Sequence, residues 1–199
     1  PSHSMFSLSV ADLPPDLTEL SVDFDYLEIS EDEPLPTFEG LTQLTRLSWT
    51  IQGGGNELSP PAHWLPMGLK SLGWHPCKLH DRLVLPESLE EFYGFSNYYG
   101  SIPKSLEVFH RCVDAHGTHE LRPGFPPGLK RLHSEDCYAS FANSLPNLLS
   151  WTATFGATPL VDASAPSITS LTSVTLTSGW SSPTPLAQFI AQLTHVKVL

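Results

Sequence analysis

The sequence predicts an α/β solenoid, with short parallel strands stacked along a concave face, a mostly irregular or extended convex side, and few short helices. A phrase that returns five times carries this expectation: Leu13-Pro14-x-x-Leu17-x-x-Leu20, Leu65-Pro66-x-x-Leu69-x-x-Leu72, Leu85-Pro86-x-x-Leu89-x-x-Phe92, Ile102-Pro103-x-x-Leu106-x-x-Phe109 and Phe125-Pro126-x-x-Leu129-x-x-Leu132. Apolar-x-apolar pairs close several copies, as in Leu20-Ser21-Val22 and Leu47-Ser48-Trp49. Proline is also abundant, 19 in 199 residues, about twice the average usage of roughly 5%. Self-similarity at such steps marks a stacked array in which each copy is one coil.

Weaker copies extend the series at Leu44-x-x-Leu47-x-Trp49, Leu148-x-x-Trp151-x-Ala153 and Ile168-x-x-Leu171-x-x-Val174-x-Leu176, and Leu193-x-x-Val196-x-Val198 repeats the strand half. The third apolar slot gives a ruler: Leu20, Leu47, Leu72, Phe92, Phe109, Leu132, Trp151, Val174 and Val196. Its steps are 27, 25, 20, 17, 23, 19, 23 and 22 residues. The step of 17 from Phe92 to Phe109 is the shortest, and the register there is the least constrained. Residues 1–12 are expected to be a processing remnant or a capping strand, followed over 13–199 by a single domain of about nine repeats.

Within each copy the apolar pair places two large side chains on one side of a short strand, and the residue between them faces water. One coil cannot bury its apolar edge alone, so stacking joins the coils into a ribbon core. Proline fixes φ and donates no hydrogen bond, which predicts that it lies in an extended stretch crossing the outside of the coil. Near the carboxyl end Thr184 caps Pro185, and Leu186, Phe189, Ile190 and Leu193 follow at helical spacing, predicting a short amphipathic helix before the Val196 strand. The chain stops on that strand with no polar cap. The protein is therefore expected to continue past Leu199 or to self-associate edge to edge through the carboxyl-terminal strand.

With these phrases the chain resembles leucine-rich-repeat proteins of the short Leu-Pro-x-x-Leu type, similar to repeat domains of bacterial effectors and to the amoebal Phe-Asn-Ile-Pro repeat proteins. The resemblance covers about residues 13–198. It implies a concave sheet that binds another protein. The Asn that follows the strand in such families is mostly absent: the equivalent stretches read Asp23-Phe24-Asp25, His75-Pro76-Cys77 and Glu135-Asp136-Cys137.

Charge excludes some partners. The net charge is -11, and residues 1–40 contain ten of the 21 acids without a single Lys or Arg, so no nucleic acid is expected to bind. No apolar run is long enough to span a bilayer, so no membrane partner is expected. Three cysteines, an odd number, and no Asn-x-Ser/Thr sequon point to a reducing, cytoplasmic setting.

No catalytic constellation emerges, and the chain is expected not to be an enzyme. Cys112-Val113-Asp114 resembles the Cys-x-Asp signature of the ubiquitin-ligase domains that follow some bacterial repeat domains, but it lies inside the array and reads as a chance tripeptide. His116-Gly117-Thr118-His119-Glu120 has neither zinc-protease order. His75 and Cys77, His110 and Cys112, and His133 and Cys137 recur near strand ends, but the His75 strand is about 10 Å from the His110 strand by strand spacing, too far for one ion to bridge all three pairs. The three cysteines are expected to be reduced, with neither metal nor cofactor bound. What remains is recognition by outward strand residues, with Arg46, His75, Tyr93, His110, Arg131 and His133 as the candidate partner-binding set, rich in types that carry binding energy. The alternative function is a structural subunit or scaffold of a larger assembly, held through its outer surface and its nearly uncharged carboxyl-terminal third.

Overall fold

The computed structural model describes residues 10–25, 37–52, 63–74, 84–95, 101–112, 125–135, 145–155, 170–178 and 196. After a single 3-10 turn at Val10–Asp12 come eight strands: β1 (Glu19–Asp25), β2 (Arg46–Gln52), β3 (Ser71–Trp74), β4 (Glu91–Phe95), β5 (Val108–Cys112), β6 (Arg131–Glu135), β7 (Ser150–Phe155) and β8 (Ser173–Ser178). They form one sheet in chain order, every neighbouring pair parallel. Parallel strands joined in sequence, each returning to lie beside the last, make a solenoid of stacked coils.

The register follows the sequence ruler. Leu20 pairs with Leu47, Leu47 with Leu72, Leu72 with Phe92, Phe92 with Phe109, Phe109 with Leu132, Leu132 with Trp151, and Trp151 with Val174. The shortest step therefore keeps its register, because the stretch from the turn proline to the ruler residue is constant. Length varies instead among residues outside the described ones. The last ruler residue, Val196, is partly buried against the core. Its neighbours, the Thr184–Leu193 segment and residues 1–9 lie outside the described residues.

One backbone device recurs at every coil boundary. The carbonyl just before each strand accepts two N–H groups from the next coil: that of Lys70 accepts from Glu90 and Glu91, and that of Glu90 from Glu107 and Val108, at 2.8–3.0 Å. The carbonyls of Thr18, Thr45, Glu107, Lys130 and Leu149 do the same. A slip of one residue would break this pattern and turn the apolar row to water.

Four of the five motif prolines sit differently from the expectation, while Pro14 heads the same turn but is exposed. Pro66, Pro86, Pro103 and Pro126 are buried, and each heads a turn in which its carbonyl accepts the N–H of the Leu three residues on, at 3.0–3.2 Å. They do not cross the outside of the coil in extended form. Lacking an N–H, proline can be buried at this position without leaving a donor unsatisfied, while its carbonyl closes the turn.

The core fills one side of the sheet. Leu47, Leu72, Phe92, Leu132 and Trp151 of the ruler row are buried together with the turn-closing leucines Leu44, Leu69, Leu89, Leu106, Leu129 and Leu148. Toward β1–β3, Phe38, Trp49, Trp64 and Trp74 pack edge to face, with ring centroids 4.6–6.3 Å apart. Farther along, Phe109 meets Phe92 at 5.7 Å and Phe125 at 5.0 Å. Gly94 matters here because the Phe92 ring folds over it: a Cβ at that position would lie 2.6 Å from the ring.

Polar side chains add a second ladder, along the turns. Ser88 Oγ donates within reach of the Met67 and Leu69 carbonyls, both at 2.7 Å. Ser105 does so to Glu87 and Leu89 at 2.6 and 2.7 Å, and Ser170 to Pro146 and Leu148 at 2.8 and 2.9 Å. Asn147 reaches the Pro127 carbonyl at 2.7 Å. This slot, one residue before the turn-closing Leu, holds glycine at Gly68 and Gly128, so the ladder skips those coils.

Candidate functional site

Strand alternation sends the residues on either side of the ruler away from the core. The row after the ruler runs Ser21, Ser48, Gly73, Tyr93, His110, His133, Thr152 and Thr175 in register. The row before it runs Glu19, Arg46, Ser71, Glu91, Val108, Arg131, Ser150 and Ser173.

Three neighbours in the first of these rows form a continuous strip of rings. Tyr93 lies 5.7 Å from His110 with ring planes tilted by 36°, and His110 stacks on His133 at 3.9 Å and 16°. The contacts run from strand to strand, with the two imidazoles face to face and the phenol tilted against the first of them. All three side chains are half-buried. Burial holds the Tyr93 phenol above its ordinary value of 10.0; the Glu91 carboxylate pushes the same way, while Arg131 and Arg46 pull it back. Tyr93 is therefore a neutral hydroxyl at physiological pH, within the electrostatic reach of both arginines.

The sequence-derived set is thus brought together in large part. Tyr93, His110 and His133 touch in series, and Arg46 and Arg131 flank them in the neighbouring row. Arg46 approaches Glu19 at 3.8 Å, both well exposed, a pair that contributes little in water. His75 lies outside the described residues, as do Cys77 and Cys137. Pairing between β5 and β6 ends at His110 and His133, whereas β4–β5 and β6–β7 continue for two further residues. Gly73 is buried although it belongs to the outward row, because Ser48 leans over it: a Cβ there would lie 3.2 Å from Ser48 Oγ. Sequence reading placed Glu91 beside the outward row and missed Ser150; the signal was present, since Ser150 also sits one step before a ruler residue.

Among the described residues no group of three or more His, Cys, Asp or Glu could hold a metal ion, and no helix among them is long and apolar enough to cross a membrane. Comparison with protein-family models, with curated proteins and with solved structures finds no match for this chain.

Proposed function

We propose that the chain is a non-catalytic, cytoplasmic recognition module of the leucine-rich-repeat kind, in the α/β class, that binds another protein on the outward face of its sheet. The observation that carries this reading is the Tyr93–His110–His133 strip. Three ring side chains occupy consecutive strands on the face the core does not use, where they add nothing to the ribbon of buried leucines. Rings held in fixed order by a rigid sheet offer apolar area and directed polar edges at low entropic cost, the combination that carries binding energy at interfaces.

Affinity capture from cells of the source organism tests this, using the intact chain and the variants Tyr93→Ala and His133→Ala. Loss of the same captured protein in both variants, with their thermal unfolding unchanged, is the expected result. A partner retained by both but lost on substitution of exposed positions away from the strip, such as Met67 and Val84, would refute the reading in favour of a scaffold held by its outer surface.

A further inference from the structure

At the junction of β6 and β7 the outward face changes character. Arg131 is in register with Ser150, and His133 with Thr152. On the other flank the same two residues meet Val108 and His110. Neither flank contributes a carboxylate at these rungs. Three other cations have one: Lys70 meets Glu90 at 2.9 Å, Lys130 meets Glu107 at 2.6 Å, and Arg46 approaches Glu19 at 3.8 Å. Arg131 is exposed and has no ion pair among the described residues. The Ser150 and Thr152 hydroxyls and the His133 ring nitrogens likewise make no hydrogen bond among them. Glu91 stands two strands from Arg131, roughly 10 Å away by strand spacing. Glu135 lies one same-face rung beyond His133, on the side away from Arg131.

A guanidinium, an imidazole and two hydroxyls thus converge as unspent donors on the surface of a protein whose net charge is -11. We propose that Arg131, His133, Ser150 and Thr152 bind a carboxylate side chain of the partner, so that the bound segment presents a single Asp or Glu here and seats its aromatic or apolar neighbours beside Tyr93. This rests on the outward sheet face being the recognition face. One guanidinium matches a single negative charge, and its planar fork suits a carboxylate. A phosphate dianion would leave an unmatched charge in the field of an acid-rich chain.

The test is an NMR titration of the histidine ring protons of the intact chain with acetate, and separately with inorganic phosphate, at fixed pH and ionic strength. The His133 signal is assigned with His133→Gln. Saturable movement of His133 by acetate is expected. It should weaken about tenfold in Arg131→Gln, the loss of one charge-assisted hydrogen bond, and less in Arg131→Lys, which keeps the charge without the fork. Both substitutions are at an exposed position, and unchanged unfolding temperatures would show that the fold is kept. No saturable movement, an equal response in Arg131→Gln, or tighter binding of phosphate than of acetate would each overturn the proposal. If acetate binds as expected but variants of Tyr93 and His133 capture the same protein as the intact chain, the recognition reading fails and with it the assignment of the carboxylate to a partner, leaving the anion preference of the site standing; the reverse pattern sinks this inference alone.

Discussion

Replacing Gly128 by serine should stabilise the protein by about 1–2 kcal/mol. Three serines in the equivalent slot each place one hydroxyl between two carbonyls of the preceding turn at 2.6–2.9 Å. At Gly128 an ideal Cβ would lie 3.8 Å from the Lys104 carbonyl, which is ordinary contact and leaves room for Oγ to reach that oxygen. No positive φ is recorded at Gly128, so the backbone accepts a side chain without strain. The new hydrogen bond adds about 0.5–1.5 kcal/mol. Restricting the unfolded chain adds about 0.4–1 kcal/mol. For a chain of this size each kcal/mol moves Tm by about 2–4 °C, so calorimetry should find a rise of about 2–8 °C. Gly128→Ala separates the two terms, because it keeps the backbone effect and lacks the hydroxyl. If the serine variant is no more stable than the alanine variant, the turn ladder contributes nothing and the reasoning is wrong.

Other expectations follow from the same contacts. Gly94→Ala should destabilise by about 1–3 kcal/mol, since the new methyl would strike the Phe92 ring in a packed core; chemical denaturation with an unchanged slope and a lower midpoint is the expected readout. Leu132→Ala, at a buried ruler position, should cost about 2–5 kcal/mol by the same assay. Lys130→Ala removes an exposed pair with Glu107 and should change stability by less than about 0.5 kcal/mol despite its short distance, because solvent screens such pairs. Tyr93 should ionise at higher pH than a free tyrosine, seen as the phenolate absorbance missing in Tyr93→Phe. The native state binds that proton more tightly than the unfolded chain, so the contribution is unchanged below pH 10.0 and stability falls as pH rises above it.

Much of the architecture was legible because its cause is periodic. The ruler from Leu47 to Val174 is a row of buried side chains, and burial on one strand face enforces a spacing that survives changes in repeat length. The outward candidates Tyr93, His110, Arg131 and His133 followed from the same alternation. The proline position was misjudged because a missing N–H is equally compatible with an exposed crossing and with a buried turn head; only the hydrogen bond from the closing Leu distinguishes them. The serine ladder was overlooked although Pro-x-Ser-Leu recurs at Ser88 and Ser105, since its partners lie in the preceding coil, 16–21 residues back. Ring stacking between His110 and His133 was likewise invisible, because side-chain rotamers are set by neighbours across strands and not along the chain.

The central claim, that the outward ring strip is where a partner sits, is most directly tested by site-specific photo-cross-linking in cells. A photoreactive residue in place of His110, in the middle of the strip, should join the chain to one protein, and the same residue in place of Met67, an exposed turn position, should not. Cross-linking from Met67 together with silence from His110 would contradict the account.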